Sequence, residues 1–200
     1  MEMSQAYPKV LRTERLILRP WRNEDYTPFA AQSADPRVME FFPKCLSEAE
    51  TQALTERIQA HFHDHGYGWW AVEVRNGPPF IGYVGLEHSN FDAPFTPAVE
   101  IGWRLGAEYW DEGYAHEAAE AALAFGFEQV GLEEIVAFTV PENERSRGLM
   151  ARLGMQYDPA DDFEHPNLPE GHPLRHHVLY RLSRHQWISR LETGDSMNAC

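Results

Sequence analysis

Trp110, Asp111, Glu112, Gly113, Tyr114 and Ala115 join two stretches of different hydrophobic period, and residues of these types at such a join can bind an anion. Upstream, Val99, Ile101, Trp103 and Leu105 alternate with Glu100, Gly102 and Arg104, the period of a strand. Downstream, Ala115, Ala119, Ala122, Leu123, Phe127 and Val130 recur at three and four, with Glu117, Glu120 and Glu128 opposite, as in an amphipathic helix. A strand that turns into a helix leaves the first backbone N–H groups of that helix unpaired at the positive end of its dipole, where phosphate binds. Small residues at Gly113 and Ala115 would let a phosphate come close to the backbone. One glycine at a helix head is also ordinary turn chemistry, so the motif needs support from elsewhere in the chain.

That support begins about 25 residues later. A second strand, Ile135 to Val140, leads into PENERSRGLMARLGM, where Asn143 is a suitable N-cap, Leu149, Met150 and Leu153 form an apolar stripe, and Gly154 ends the helix. Strand, phosphate turn, long helix, strand, then Asn143 with Ser146 and a closing Leu153-Gly154-Met155 resembles the acetyl-CoA site of the GNAT N-acetyltransferases. Within them it is most similar to the branch that contains the ribosomal-protein N-terminal (alanine/serine) acetyltransferases. The resemblance covers roughly residues 10 to 182 and rests on the combined order and spacing.

The resemblance implies roles position by position. Trp110, Gly113 and Ala115 fall on the family's phosphate-turn pattern, so the backbone of Gly113, Tyr114, Ala115 and His116 would hold the pyrophosphate. Trp110 stands where the family usually has Gln or Arg, and Asp111 and Glu112 put acid beside an anion site, so their side chains must point away. Asn143 matches the asparagine that contacts the coenzyme arm, and Ser146 the serine near the thioester sulfur. Met150 stands where other branches carry a tyrosine acid, which makes Ser146 the candidate for helping the thiolate leave. The implied reaction is attack of a neutral amine on a thioester carbonyl. A backbone N–H of the central strand, at Ile101, Gly102 or Trp103, would face the carbonyl oxygen as it gains charge, and a base must take the proton of the amine. Glu100 is the first candidate base, since a carboxylate near apolar neighbours can have its pKa raised toward the working pH. The alternative is that Glu100 pairs with Arg104 or faces solvent; Asp162, Glu164 and His165 are held in reserve.

The chain has 200 residues, 43% hydrophobic, which suits one domain with one sizeable core. The implied architecture is mixed α/β: a central, mostly antiparallel sheet of six to seven strands with about four helices, over residues 10–182, between extensions at 1–9 and 183–200. Seventeen Lys and Arg against 31 Asp and Glu give a net charge of −14, which argues against a nucleic-acid partner and is compatible with a cationic amine acceptor. Cys45 and Cys200 make no disulfide framework, and the opening MEMSQAYPKV holds no apolar run of a signal peptide, so a cytoplasmic location is the expectation. No apolar run approaches the roughly 18 residues a membrane span needs. Acetyl-CoA is the expected co-substrate. The oligomeric state stays open, though the hydrophobic hairpin could pair with a second copy as a homodimer.

The flanking elements follow the same rules. Leu16 to Leu18 reads as a strand within Thr13-Glu14-Arg15-Leu16, an opening the family shares, with a structural role. Trp21 to Ser33 reads as a short helix if Thr27 caps it before Pro28. Ser47 and Glu50 make a capping box for a helix to about His63. The resemblance makes this region a wall of the acceptor pocket, with Glu40, Phe41 and Phe42 near its entrance, ordinary loop packing being the alternative. Trp69 to Val74 and Phe80 to Glu87 form a hairpin about Asn76-Gly77. A strand begins at Met155 to Tyr157, a polar loop runs from Asp158 to Pro173, and His177 to Leu182 closes the sheet. From about Glu192 the chain reads as frayed and polar. His61, His63 and His65, and the later His165, His172, His176 and His177, invite a metal reading, but only His61 and His65 share a helical face and no Cys joins them; no metal is expected.

Overall fold

The computed structural model describes residues 10–197. The expected extension at 1–9, the opening sequence and Cys200 lie outside the described residues; Cys45 is exposed and carries a free thiol. By its internal contacts the chain divides into two compact units. One runs through Glu87 and takes up Gly102–Ala122; the other holds His88–Ile101 and the chain from Leu123.

In the first unit, β1 (Leu11–Arg12), β2 (Leu16–Arg19), β3 (Trp69–Val74) and β4 (Gly82–Ser89) follow one another in antiparallel order, with the end of β5 (Ala98–Leu105) next to β4. The β3–β4 turn is at Asn76, which takes φ 60, the left-handed region that asparagine tolerates. Helix α1 (Tyr26–Ala34) follows a short 3-10 turn at Asn23–Asp25. Its N-cap is Asp25 rather than Thr27, and Pro28 is tolerated because the third helical position has no intrahelical acceptor for an N–H to lose. Helix α2 (Glu48–His65) opens with the expected capping box and runs two residues past His63, until Gly66 ends it at φ 75. Trp21, Phe29, Ile58, Ala71, Phe80 and Tyr83 form the core beneath these helices. The Trp21 indole donates to the Trp69 carbonyl at 2.7 Å.

The second unit orders its strands β5, β6 (Glu134–Thr139), β9 (His176–Ser183), β7 (Gln156–Tyr157), with β8 (Phe163–Glu164) also on β9. The pairing of β5 with β6 is parallel, at Glu100 opposite Val136; β6, β7 and β8 each pair antiparallel with β9. Helix α3 (Tyr114–Ala124) starts where expected but gives way to a π-helical stretch, Phe125–Val130. Phe125, Gly126 and Phe127 are buried there, while Glu128 and Gln129 are exposed, so the stretch keeps a buried side after the α-helical hydrogen bonding has changed. Helix α4 (Glu144–Arg152) begins at its Asn143 cap, and Gly154 follows at φ 79.

The stretch read as a terminal extension from 183, and as frayed from about Glu192, is helical as far as Met197. It forms a fifth helix, α5 (Arg184–Met197). Ser183 and Gln186 make a reciprocal cap, the Gln186 N–H donating to Ser183 Oγ at 3.2 Å and the Ser183 N–H to Gln186 Oε1 at 2.8 Å. Trp187 is 2% exposed and stacks on Phe127 with ring centroids 5.7 Å apart. Arg190 lies over the Trp187 ring and donates to the Leu153 carbonyl at 2.8 Å. Among the described residues there are therefore nine strands and five helices. The surplus over the expected count comes from α5 and from two-residue strands too short to carry a period.

Phe91, Phe95, Phe138 and Phe163 pack around His165 and His177 in the second unit. Burial there pushes the His177 pKa down from 6.5 to about 4, although the ring keeps a hydrogen bond with the Arg175 carbonyl.

Two measurements probe this architecture. Trp187→Ala is expected to lower the unfolding free energy by about 3–5 kcal/mol in urea titrations, the cost of emptying a large buried aromatic site; a change within error would make α5 a dispensable extension. The neutral His177 favours the folded state fully above its unfolded pKa of 6.5, and that contribution declines below 6.5 and is lost as the pH falls through about 4. The stability difference between wild type and His177→Gln should therefore shrink as pH drops across that window, as followed by thermal unfolding.

Candidate functional site

The phosphate-turn residues sit in the first unit, and an interlocked set of hydrogen bonds shapes them. After β5 ends at Leu105, the Trp110 indole N–H donates to the Leu105 carbonyl at 3.0 Å. Trp110 thus fastens the turn to the end of the strand. Asp111, at φ 63, and Glu112 are exposed. Gly113 takes φ 78, a conformation in which a side chain is strained, and a Cβ there would meet Arg15 Nη2 at 3.2 Å. Helix α3 follows at once, its Glu117 N–H bonded to the Gly113 carbonyl. The amides of Tyr114, Ala115 and His116 therefore have no intrahelical acceptor, which is what a phosphate site at a helix start requires.

Arg15 and Glu117 brace this turn. Glu117 accepts from Thr13 Oγ1 at 2.6 Å, from the Arg15 backbone N–H at 2.7 Å and from Arg15 Nε at 2.6 Å, while Arg15 Nη1 donates to the Glu112 carbonyl at 2.9 Å. Partial burial opposes ionisation of Glu117, but these hydrogen bonds outweigh it and hold the carboxyl below its ordinary pKa. Arg15 also lies over the Tyr114 ring at 4.8 Å. The Thr13 to Leu16 opening thus does more than begin the sheet, because it puts a cation beside the helix start. Arg15 belongs to the candidate site although sequence reasoning assigned it only a structural part.

Strand β5 carries the next set, and here the alternating pattern is incomplete. Val99, Ile101 and Leu105 are buried as expected, yet Trp103 is half-buried and Arg104, placed on the polar face by its type, is 5% exposed. Arg104 does not pair with Glu100. Its guanidinium lies over the rings of Phe29, Tyr83 and Phe42, and donates to Ser33 Oγ at 3.1 Å and Met39 Sδ at 3.2 Å. Burial pushes its pKa down from the usual arginine value. Gly102 shares its face of the strand, and a Cβ there would stand 3.2 Å from the Trp69 indole nitrogen. Phe42, expected near an acceptor entrance, reaches this group; Glu40 is exposed and Phe41 half-buried.

Two carboxylates on or beside the central strands have the chemistry of a candidate base. Glu100, in the second unit, accepts from Ser89 Oγ at 2.5 Å, which fixes its orientation. Glu87, near the end of β4, was not singled out by sequence; its side chain is 13% exposed, burial raises its pKa, and Arg57 at 3.6 Å opposes the shift. A lone acid closing an apolar run, as in Gly82 to Leu86 followed by Glu87, is the sequence signal that marks it.

In the second unit, Asn143 Oδ1 accepts from the Ser146 N–H at 3.2 Å and Asn143 Nδ2 donates to Thr139 Oγ1 at 3.0 Å, so the cap fixes both side chain and helix start. Met150, 2% exposed, is a core residue. Among the reserve residues, Asp162 accepts from the Tyr157 hydroxyl, Glu164 bonds to His176, and His165 lies in the aromatic cluster with its pKa lowered by burial. The His61 and His65 rings lie 4.4 Å apart, tilted by 36°, on one face of α2 as their spacing requires.

Against known proteins, residues 15–156 match the Acetyltransferase (GNAT) domain family. The chain is 26% identical over 183 residues to the uncharacterized N-acetyltransferase YnaD of Bacillus subtilis, covering 88% of this chain and 98% of that protein. It is 29% identical over 189 residues to the FsC-acetyl coenzyme A-N(2)-transacetylase of Aspergillus fumigatus, covering 89% and 77%. The crystal structure of the ribosomal-protein-S5-alanine acetyltransferase of Vibrio fischeri has the same fold, with a TM-score of 0.69 at 22% identity over 89% of this chain and 98% of that one. A mixed α/β fold with this helix start after its central strand and a family match over most of the sequence lead to one conclusion: the chain belongs to the GNAT family, whose members use acetyl-CoA, and is an N-acetyltransferase of it.

Proposed function

We propose that this enzyme moves the acetyl group of acetyl-CoA to a primary amine by direct attack in a ternary complex. The observation that carries the proposal is the braced helix start, where Gly113 at φ 78 and the Arg15–Glu117 clamp hold the amides of Tyr114, Ala115 and His116 ready for the pyrophosphate. Asn143 contacts the coenzyme arm. A backbone N–H among Ile101, Gly102 and Trp103 receives the charge that develops on the carbonyl oxygen.

The nitrogen lone pair of the amine attacks the thioester carbon, the C–N bond forms and the C–S bond breaks. The amine proton passes to Glu100, which the Ser89 hydroxyl orients, and the Ser146 hydroxyl hydrogen-bonds the departing thiolate. Neither the family match nor the FsC transacetylase, whose name specifies an N(2) amine, fixes the acceptor of this chain. The net charge of −14 disfavours nucleic-acid-bound substrates and is compatible with a cationic amine.

Acetyl-CoA at one hundred times its dissociation constant is expected to add about 2.7 kcal/mol and raise Tm by several degrees, with ATP as the anion control; no rise would withdraw the coenzyme site. Ser146→Ala should lower kcat far more than it weakens acetyl-CoA binding, and equal losses would reassign Ser146 to binding. Glu100→Gln should abolish the acidic limb of the kcat/KM profile. A profile left unchanged by that substitution would move the base to Glu87.

A further inference from the structure

The first unit buries two arginines, and it treats them differently. Arg19 is met by Asp25 through two hydrogen bonds at 2.7 and 2.8 Å, by Glu73 at 2.8 Å and by the Pro79 carbonyl at 2.6 Å. Arg104, almost as deeply buried, has among the described residues only a hydroxyl and a thioether as acceptors, and its Nε–H has no partner there. Among the described residues no carboxylate pairs with it. Aromatic faces attract a cation but accept no conventional hydrogen bonds, so its donors remain undersupplied. A buried guanidinium without an anion is costly to the fold.

A second unpartnered donor lies near it. The Trp69 indole nitrogen is buried and makes no hydrogen bond, and it faces the Cα of Gly102, two residues before Arg104 on the same face of β5. The Tyr83 ring stacks on Trp69 at 4.8 Å and takes the Arg104 guanidinium at 5.2 Å, so both donors border one aromatic residue. Even a Cβ at Gly102 would crowd the indole nitrogen at 3.2 Å, so only glycine leaves that N–H without a side chain pressed against it. Two buried N–H donors without acceptors, one of them charged, describe a recognition site for an anionic acceptor group, and the planar fork of arginine fits a carboxylate.

We propose that the Gly102 and Arg104 face of β5 recognises the carboxylate of the acceptor, Arg104 pairing with it and the Trp69 N–H adding a second donor, so that the substrates are amines that carry a carboxylate, of the amino-acid class. The inference rests on the acetyl-transfer reading above and adds the acceptor class to it. It also gives the buried charge its purpose: the missing partner arrives with the substrate. A carboxamide of the same shape lacks the charge, and a plain amine lacks the group.

The test assays L-amino acids as free acids and as their carboxamides, with acetyl-CoA and thiol release as readout, for wild type, Arg104→Gln, Arg104→Lys and Trp69→Phe. Wild type is expected to prefer an acid over its amide by about tenfold or more in kcat/KM, the value of a charge-assisted hydrogen bond. Arg104→Gln should erase that preference by lowering turnover of the acid while leaving the amide little changed, and Arg104→Lys should retain part of it. Trp69→Phe should reduce it by a smaller factor. Retention of the acetyl-CoA-dependent rise in Tm identifies variants that have folded; if Arg104→Gln fails this check, the lysine and phenylalanine variants decide. Equal turnover of acids and amides by wild type, or an undiminished preference in the folded variants, overturns the role of Arg104 and leaves acetyl transfer standing. Thiol release with neither series overturns the amino-acid class of the acceptor, and loss of the acetyl-CoA-dependent rise in Tm in the wild type is the separate outcome that removes the coenzyme site on which the inference rests.

Discussion

The Glu117 carboxylate is the contact on which the turn before α3 depends. It sits one turn inside α3 and takes three hydrogen bonds from Thr13 and Arg15, residues about a hundred positions earlier. Each bond restrains a different group: a hydroxyl, a backbone amide and a guanidinium. Arg15, held in this way, reaches forward to the Glu112 carbonyl immediately before Gly113. The arrangement fixes the backbone on both sides of the glycine. It also explains how the turn tolerates Asp111 and Glu112. The carbonyl of Glu112 is used in the brace while both acidic side chains are exposed.

Charge buried elsewhere in the same unit separates structure from function. Arg19, Asp25 and Glu73 form a closed set in which the guanidinium meets two carboxylates and a carbonyl; Asp25 also accepts from the Arg22 backbone N–H at 2.7 Å. Such a set repays the desolvation of its ions internally and fixes the path from β2 into α1. Arg104 has no such closure. Its neighbours are rings, a thioether and a hydroxyl, groups that hold a guanidinium in place and leave its hydrogen-bonding capacity in reserve.

In the second unit the aromatic cluster around Phe91, Phe138 and Phe163 joins the segment before β5 to β6, β8 and β9, and its two histidines are kept neutral by burial. The late polar stretch is consequently less of a loop than its composition suggests. Phe163 anchors β8 to β9 at the register Phe163 opposite His177, and the flanking Asp162 and Glu164 serve hydrogen bonds to Tyr157 and His176. Their carboxylates have structural roles that the chain order alone does not show.

Local pattern determined a good deal of this protein. The alternation through Val99 to Leu105 located β5, the glycine at 113 located the turn, the Ser47–Glu50 capping box opened α2, and Asn143 capped α4; each of these depends on residues within a few positions of one another, so the information is in the sequence. The order and spacing of those pieces were enough to reach the family. Tertiary structure alone decided what depends on distant partners. Arg104 is charged and stands at an outward position of the strand, yet it is buried because Phe29, Tyr83 and Phe42 arrive from three other segments. The tail after Ser183 is polar in composition, yet it is a helix because Trp187 finds Phe127 some sixty residues away, on the π-helical stretch that follows α3. Arg15 reads as a residue of the opening before a short strand and comes to lie beside the start of α3 only when Glu117 takes hold of it. Short-range patterns fix elements and their ends, whereas burial and charge pairing belong to contacts that exist only once the chain has folded.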